Sequence, residues 1–190
     1  MRVLESQRIL LKPVEREDLD YLAQLRWDKE VCQFINHEPI SCSDQERWFN
    51  NIQPNDMPLS IFIKEDSGQR IAGTTGLYAI NHRHQRANWR IRITNEIQGQ
   101  GYAFEATLLL FHYGFTELNL NRITSNSRID NTKIRALVER LGSIHEGTLR
   151  EHEFSGGKFH DVGCFAALRN TFLQHNREIL RELGLENPLA

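Results

Sequence analysis

The chain has 190 residues, 39% of them hydrophobic and 25% charged, with a formal net charge of −2, which suits one well-buried globular domain and not a disordered chain. So small a net charge gives nothing global to draw the protein to nucleic acid or to an anionic membrane. Cys32, Cys42 and Cys164 stand far apart, outside any CxxC or Cys/His pattern, which argues against a disulfide framework and against a metal site.

The opening MRVLESQRILLKPVERED alternates charge with apolar residues, has no signal-peptide core or cleavage site, and no apolar run of 18 residues occurs anywhere. A cytoplasmic protein without a membrane span is expected. Residues 8–14 read as a strand stopped near Pro13. Leu19, Leu22, Ala23 and Leu25 then recur at helical spacing behind an acidic first turn. Ser43 with Glu46 three residues on predicts a capping box for a second helix. The connector EVCQFINHEPIS carries large side chains, and the aromatics Trp27, Phe34 and Trp48 are assigned to the core. Residues 59–65, 70–80 and 86–94 read as three successive strands.

Residues 102–118 are apolar nearly all round, as in a helix packed on a sheet. A strand at 121–129 follows, then a helix over 130–142 with an Asp/Asn start and Gly142 as its stop. The segments around Gly156 and Gly157 form a hairpin. One amphipathic helix runs from Asn170 to the neighbourhood of Gly184 and Pro188. Between the third meander strand and the long helix stands QGQGYAFEA, residues 98–106. A helix start leaves unpaired N–H groups and a partial positive charge, and Gly99 and Gly101 let a ligand approach the backbone. Phosphate is the usual guest. The lysine of the GxxxxGKS/T loop is absent and GxGxxG is not completed. A plain strand-to-helix turn with no ligand remains the alternative.

With that strand, the Q-x-x-G-x-A run of Gln98, Gly101 and Ala103, a helix, a strand, Asn131 and ERLG in series, the chain resembles the GNAT superfamily of acyl-CoA-dependent N-acetyltransferases over residues 7–169. YGFTELNLNRI, ERLG, HEGTLRE and GGKFHDV look most like the RimJ/RimL-type protein N-terminal acetyltransferases. INHRHQRANW and YGFTELNL are also similar to spermidine N-acetyltransferases. The resemblance implies an α+β fold in which helices flank a mixed, mostly antiparallel sheet, in the order β-α-α-β-β-β-α-β-α-β-β. Residues 1–169 would be the acetyltransferase domain and 170–190 a C-terminal amphipathic helix and tail.

The same resemblance implies that acetyl-CoA is the acyl donor and that no metal is needed. Its pyrophosphate would lie on the backbone of Gln98, Gly99, Gln100, Gly101, Tyr102 and Ala103. Its pantetheine arm would pair with Ile91, Arg92 and Ile93, helped by Asn131, which also reads as an ordinary helix N-cap. Three positions depart from the family pattern. Asn88 stands where many relatives have a carboxylate base, Val138 where many have a tyrosine acid, and Ile134 where RimL-like enzymes have a serine. Asn88, Arg90 and Asn131 are the catalytic candidates.

Coenzyme A leaves as a thiol of pKa about 8.5 to 9 by analogy with cysteine, so a missing acid is tolerable. A missing base selects the acceptor. An α-amine titrates near 8 and a lysine-like amine near 10.4, a gap of about 2.4 units or roughly 3.3 kcal/mol. Period two places Asn88, Arg90 and Arg92 on one strand face and Trp89, Ile91 and Ile93 on the other. Arg90 and Arg92 would lower a bound amine's pKa and pair with an acidic group, or else be solvated or salt-bridged.

Glu38 and His37 in the connector, His82 and His84 in a polar loop, and His145 are further proton-relay candidates. The leading reading is acetyl transfer to a primary amine, the α-amine of a protein N-terminus or of an amino-acid-like small molecule. A polyamine or antibiotic amine is the alternative acceptor, and a CoA-binding regulatory module the alternative of another class. Neither a nucleic-acid nor a membrane partner is expected, and a homodimer is a candidate assembly.

Overall fold

The computed structural model describes residues 3–34 and 40–185. His37, Glu38 and Pro188 lie outside them. The chain forms two compact units, Met1–Ala79 with Arg90–Leu110, and Ile80–Trp89 with Phe111–Ala190.

The first unit opens with the short β1 (Leu4–Glu5), which was not expected, and β2 (Ile9–Pro13). A 3-10 turn at Arg16–Asp18 leads into α1 (Leu19–Trp27), followed by α2 (Cys42–Asn50), β3 (Met57–Glu65) and β4 (Gly68–Asn81). Then come β5 (Arg86–Ile93), a 3-10 turn at Asn95–Ile97 and α3 (Tyr102–Thr116); β4, β5 and α3 run on into the second unit. Strands β1 to β5 are hydrogen-bonded neighbours in chain order. Ile9 faces Ile63 and Leu11 faces Ile61 across β2 and β3, and all four are buried, as cross-strand apolar pairs on a covered face should be. Helix α1 buries Leu19, Leu22, Ala23 and Leu25, the spacing read from the sequence.

The protein departs from two local expectations. Helix α2 is capped by Ser41, not Ser43. The Ser41 hydroxyl accepts from the Asp44 N–H and the Asp44 carboxylate accepts from the Ser41 N–H, at 3.1 and 2.9 Å. Glu46, the expected partner of Ser43, is drawn to Arg16 instead, whose Nη1 donates to it at 2.7 Å. Of the three aromatics assigned to the core, Trp48 packs beside Val14, Leu19 and Leu22. Trp27 is 54% exposed, with its indole N–H donating to the Ile40 carbonyl at 2.9 Å.

The second unit adds β6 (Arg122–Arg128), α4 (Thr132–Arg140), β7 (Ile144–Ser155), β8 (Lys158–Leu168), α5 (Arg169–His175) and α6 (Arg177–Glu182). Its strand order is β5-β6-β8-β7. β5 and β6 are parallel, in register from Arg86 with Arg122 to Asn88 with Thr124. β6 with β8 and β8 with β7 are antiparallel. The sheet thus has eight strands, mixed and mostly antiparallel, flanked by helices: the expected α+β class. Phe111 stacks edge-on to Trp89 at 5.6 Å and lies against Phe115 and Phe172, which holds the C-terminal half of α3 on this unit's core.

The single helix expected after Asn170 is two. Asn176 is buried, and its amide donates to the carbonyls of Leu141 and Phe172 at 3.0 and 2.9 Å. A side chain that satisfies main-chain acceptors in this way competes with the regular helix ladder, and the backbone there leaves the helical region at φ −101, ψ 12.

Candidate active site

The end of β5 is tied to β4 through the Thr94 N–H and the Ala72 carbonyl at 2.9 Å, after which buried Ile97 anchors a 3-10 turn. The Gln98 side chain donates to Asn95 at 2.6 Å. Gly99 and Gly101 then take φ of +77 and +85, backbone states that side chains with a Cβ rarely adopt. A Cβ on Gly99 would meet nothing within 4 Å. The Glu105 N–H donates to the Gly101 carbonyl at 3.1 Å, so the amides of Gly101, Tyr102 and Ala103 precede the first helical bond of α3. An open loop of left-handed glycines feeding helix-start amides fits an anionic group such as the coenzyme's pyrophosphate.

Arg8 was not singled out in the sequence. Its guanidinium pairs with the buried Glu105 carboxylate, donates to the Gln100 carbonyl at 3.1 Å and lies over the Tyr102 ring at 4.7 Å. These partners are more than 90 residues away along the chain, and only the strand pairing brings them together.

On β5, Ala87 and Trp89 are buried while Asn88 and Arg90 are exposed; Ile91, Arg92 and Ile93 are all half-buried. Arg90 stacks over the Tyr78 ring at 4.9 Å. Burial depresses the pKa of Arg92 and the Arg26 guanidinium lowers it further, while Cys32 and Tyr78, were they ionised, would raise it. Its Nε is buried with no acceptor among the described residues. Burial pushes the Tyr78 hydroxyl and the Cys32 thiol up, and the neighbouring arginines offset part of each shift. Ala79, just after Tyr78, is held at φ +50 with its N–H donated to Asp56 at 2.8 Å. Tyr78, Arg26 and Cys32 were missed because they come from β4, α1 and the connector, whose sequences carry no sign that they meet β5.

In the second unit, Asn88 offers no base. Its side-chain oxygen accepts a hydrogen bond from the Thr124 hydroxyl at 2.6 Å. Asn131 is the N-cap of α4, accepting from the Ile134 N–H at 3.3 Å, the alternative weighed for it. His145 packs on the Phe165 ring at 5.0 Å and meets Thr148. His82 and His84 are exposed. Val138 is fully buried, so introducing the family's tyrosine there should not create an acid. Val138→Tyr is expected to destabilise the fold by about 1–3 kcal/mol through overpacking, read as a lower urea midpoint, with no gain in turnover.

A mixed sheet with a glycine loop heading its long helix is the architecture expected of a coenzyme A-using acyltransferase. Residues 8–144 match the acetyltransferase (GNAT) domain, and the chain belongs to that family: it is an acetyl-CoA-dependent N-acetyltransferase acting on an amine. The uncharacterized N-acetyltransferase p20 of Bacillus licheniformis is 34% identical over 180 residues, 90% of this chain and 99% of that one. The spermidine N(1)-acetyltransferase of Escherichia coli K12 is 33% identical over 170 residues, 90% of this chain and 88% of that one. A crystal structure of spermidine N-acetyltransferase from Vibrio cholerae in complex with CoA and spermine matches with a TM-score of 0.78 at 27% identity, covering 87% of this chain and 98% of that one. No helix among the described residues is long and apolar enough to cross a membrane.

Proposed function

We propose that the acceptor is a primary amine with a neighbouring carboxylate or phosphate: the α-amine of a protein N-terminus or of an amino-acid-like small molecule. The observation that carries this reading is Arg92, half-buried, its Nε buried and without an acceptor among the described residues. Leaving one buried donor of a charged group without an acceptor costs free energy that a well-packed apolar side chain would not. Such groups cluster at functional sites because a ligand completes them. Arg90, over Tyr78, adds a second guanidinium.

Acetyl-CoA supplies the activated acyl group and a good leaving thiol. In this reading the backbone of residues 98–103 holds the pyrophosphate chiefly through Gly99, Gly101, Tyr102 and Ala103, since the Gln98 and Gln100 N–H groups already donate to the Asn95 and Ile97 carbonyls at 3.1 and 3.4 Å. Main-chain groups at Ile91, Arg92 and Ile93 hold the pantetheine arm, and an N–H there faces the developing oxyanion. Positioning and fixed donors are together able to supply most of such a barrier reduction. Arg90 and Arg92 grip the acceptor's acidic group and lower its amine's pKa, which compensates for the missing carboxylate at Asn88.

Acceptance of spermidine, the alternative acceptor, is favoured by the spermidine N-acetyltransferases among the relatives. The electrostatics oppose it, because each ammonium brought to the Arg26, Arg90 and Arg92 group meets like charge. Thiol release measured at pH 7 across a panel of amines separates the two. Amino acids or peptides with acidic N-terminal residues are expected to show kcat/KM at least about tenfold above spermidine and aminoglycosides, a gap of roughly 1.4 kcal/mol. Spermidine as the best acceptor would refute this reading.

A further inference from the structure

The glycine loop is braced from outside. Arg8, just before β2, donates through Nη1 to the Gln100 carbonyl at 3.1 Å and through Nε to Glu105 Oε2 at 2.7 Å. Its Nη2 also bonds that carboxylate oxygen, and the Ser6 hydroxyl bonds the other. Nη2 is the atom a Cβ on Gly101 would meet, at 3.4 Å. The peptide bond is planar and trans, so a Gln100 carbonyl held toward Arg8 turns the Gly101 N–H the opposite way. Arg8 therefore sets the direction of one of the loop's donors.

Glu105 raises a second problem that Arg8 answers. Its side chain is only 10% exposed and sits in the first turn of α3. There a carboxylate suits the bare helix dipole but repels an arriving phosphate. Little solvent screens a buried charge. A guanidinium that engages it through two nitrogens cancels that repulsion and leaves the helix-start amides their attraction for an anion.

We propose that Arg8 is a positioning residue for the coenzyme's pyrophosphate, acting by orienting the Gln100–Gly101 peptide and by neutralising Glu105. The proposal rests on the reading that residues 98–103 take the pyrophosphate. It is tested by calorimetry with CoA, dephospho-CoA and pantetheine on the full chain. Arg8→Gln is expected to weaken CoA and dephospho-CoA by the same factor, about tenfold or more, and pantetheine far less. Adding Glu105→Gln should restore at least about a third of the lost affinity, because the uncompensated carboxylate is gone. Arg8→Lys, which keeps the charge but not the fork, should lie between; it carries the comparison if Arg8→Gln fails to fold.

Equal losses for all three ligands would show that Arg8 only supports the fold, and would overturn the proposal. So would unchanged CoA affinity in a folded variant. A loss for CoA much larger than for dephospho-CoA would overturn it too, placing Arg8 at the 3′-phosphate. A parent protein that binds pantetheine as tightly as CoA would instead refute the pyrophosphate reading of the loop.

Discussion

Gly101→Val is expected to weaken CoA binding at least about a hundredfold, equivalent to roughly 2.7 kcal/mol, while the protein stays folded. Gly101 sits at φ +85, and a residue with a Cβ, above all a β-branched one, resists that region by about 1–2 kcal/mol. The Cβ would also stand 3.4 Å from Arg8 Nη2. The variant therefore relaxes by moving the loop, and the amides of Gly101, Tyr102 and Ala103 leave the arrangement an anion needs. The strain is confined to an exposed turn, so circular dichroism should be unchanged and the melting temperature lower by only a few degrees. Calorimetry with CoA decides the matter: a folded Gly101→Val protein of normal CoA affinity would show that this loop is a plain turn.

Arg92→Met should make the protein more stable and a worse enzyme. Replacing a half-buried guanidinium whose Nε lacks an acceptor among the described residues by an apolar side chain of similar length removes an unmet desolvation cost, and about 1–3 kcal/mol of added stability is expected. For a chain of this size that is a rise in Tm of roughly 2–12 °C. The acceptor KM should rise about tenfold or more for acidic α-amines, with little change in the KM for acetyl-CoA.

The pH dependence has a definite sign. A guanidinium near a bound ammonium disfavours the charged form, so it lowers that amine's pKa and makes the neutral nucleophile available at lower pH. Removing the guanidinium lets the amine's pKa relax upward. The rising limb of kcat, which reports the bound complex, should then move to higher pH by up to about one unit, while that of kcat/KM stays with the free groups. Arg90→Ala should shift the limb the same way at little cost in stability, since Arg90 is exposed. Wild-type acceptor kinetics in both variants would mean that these arginines serve the fold alone.

What could be read from the chain was whatever depends on residues close in sequence. Helical spacing of Leu19, Leu22, Ala23 and Leu25, the alternation over Arg86–Arg90 of β5, and the glycines at 99 and 101 express local geometry and appear in the structure, while at Ile91, Arg92 and Ile93 the alternation gives way to three half-buried residues. The same information ran out where two local patterns competed. Ser41 with Asp44 and Ser43 with Glu46 offer the same box, and Arg16, 30 residues from Glu46, removes one of them. The break at Asn176 escaped notice because its amide answers Leu141, 35 residues away. Helical spacing also does not say which face is covered, so Trp27 was assigned to the core and lies exposed.

By itself the sequence determined the order of strands and helices from β2 to β8 and the left-handed glycine backbone at the head of α3, because propensity, period and φ freedom act within a few residues. The tertiary structure alone decided which side chains accompany that backbone and β5: Arg8 on Glu105 and Gln100, and Arg26, Cys32 and Tyr78 near Arg92. The reason is physical. A side chain's charge and desolvation are set by whatever packs within a few ångströms of it, and in a sheet those neighbours come from strands and loops that sequence distance does not reveal.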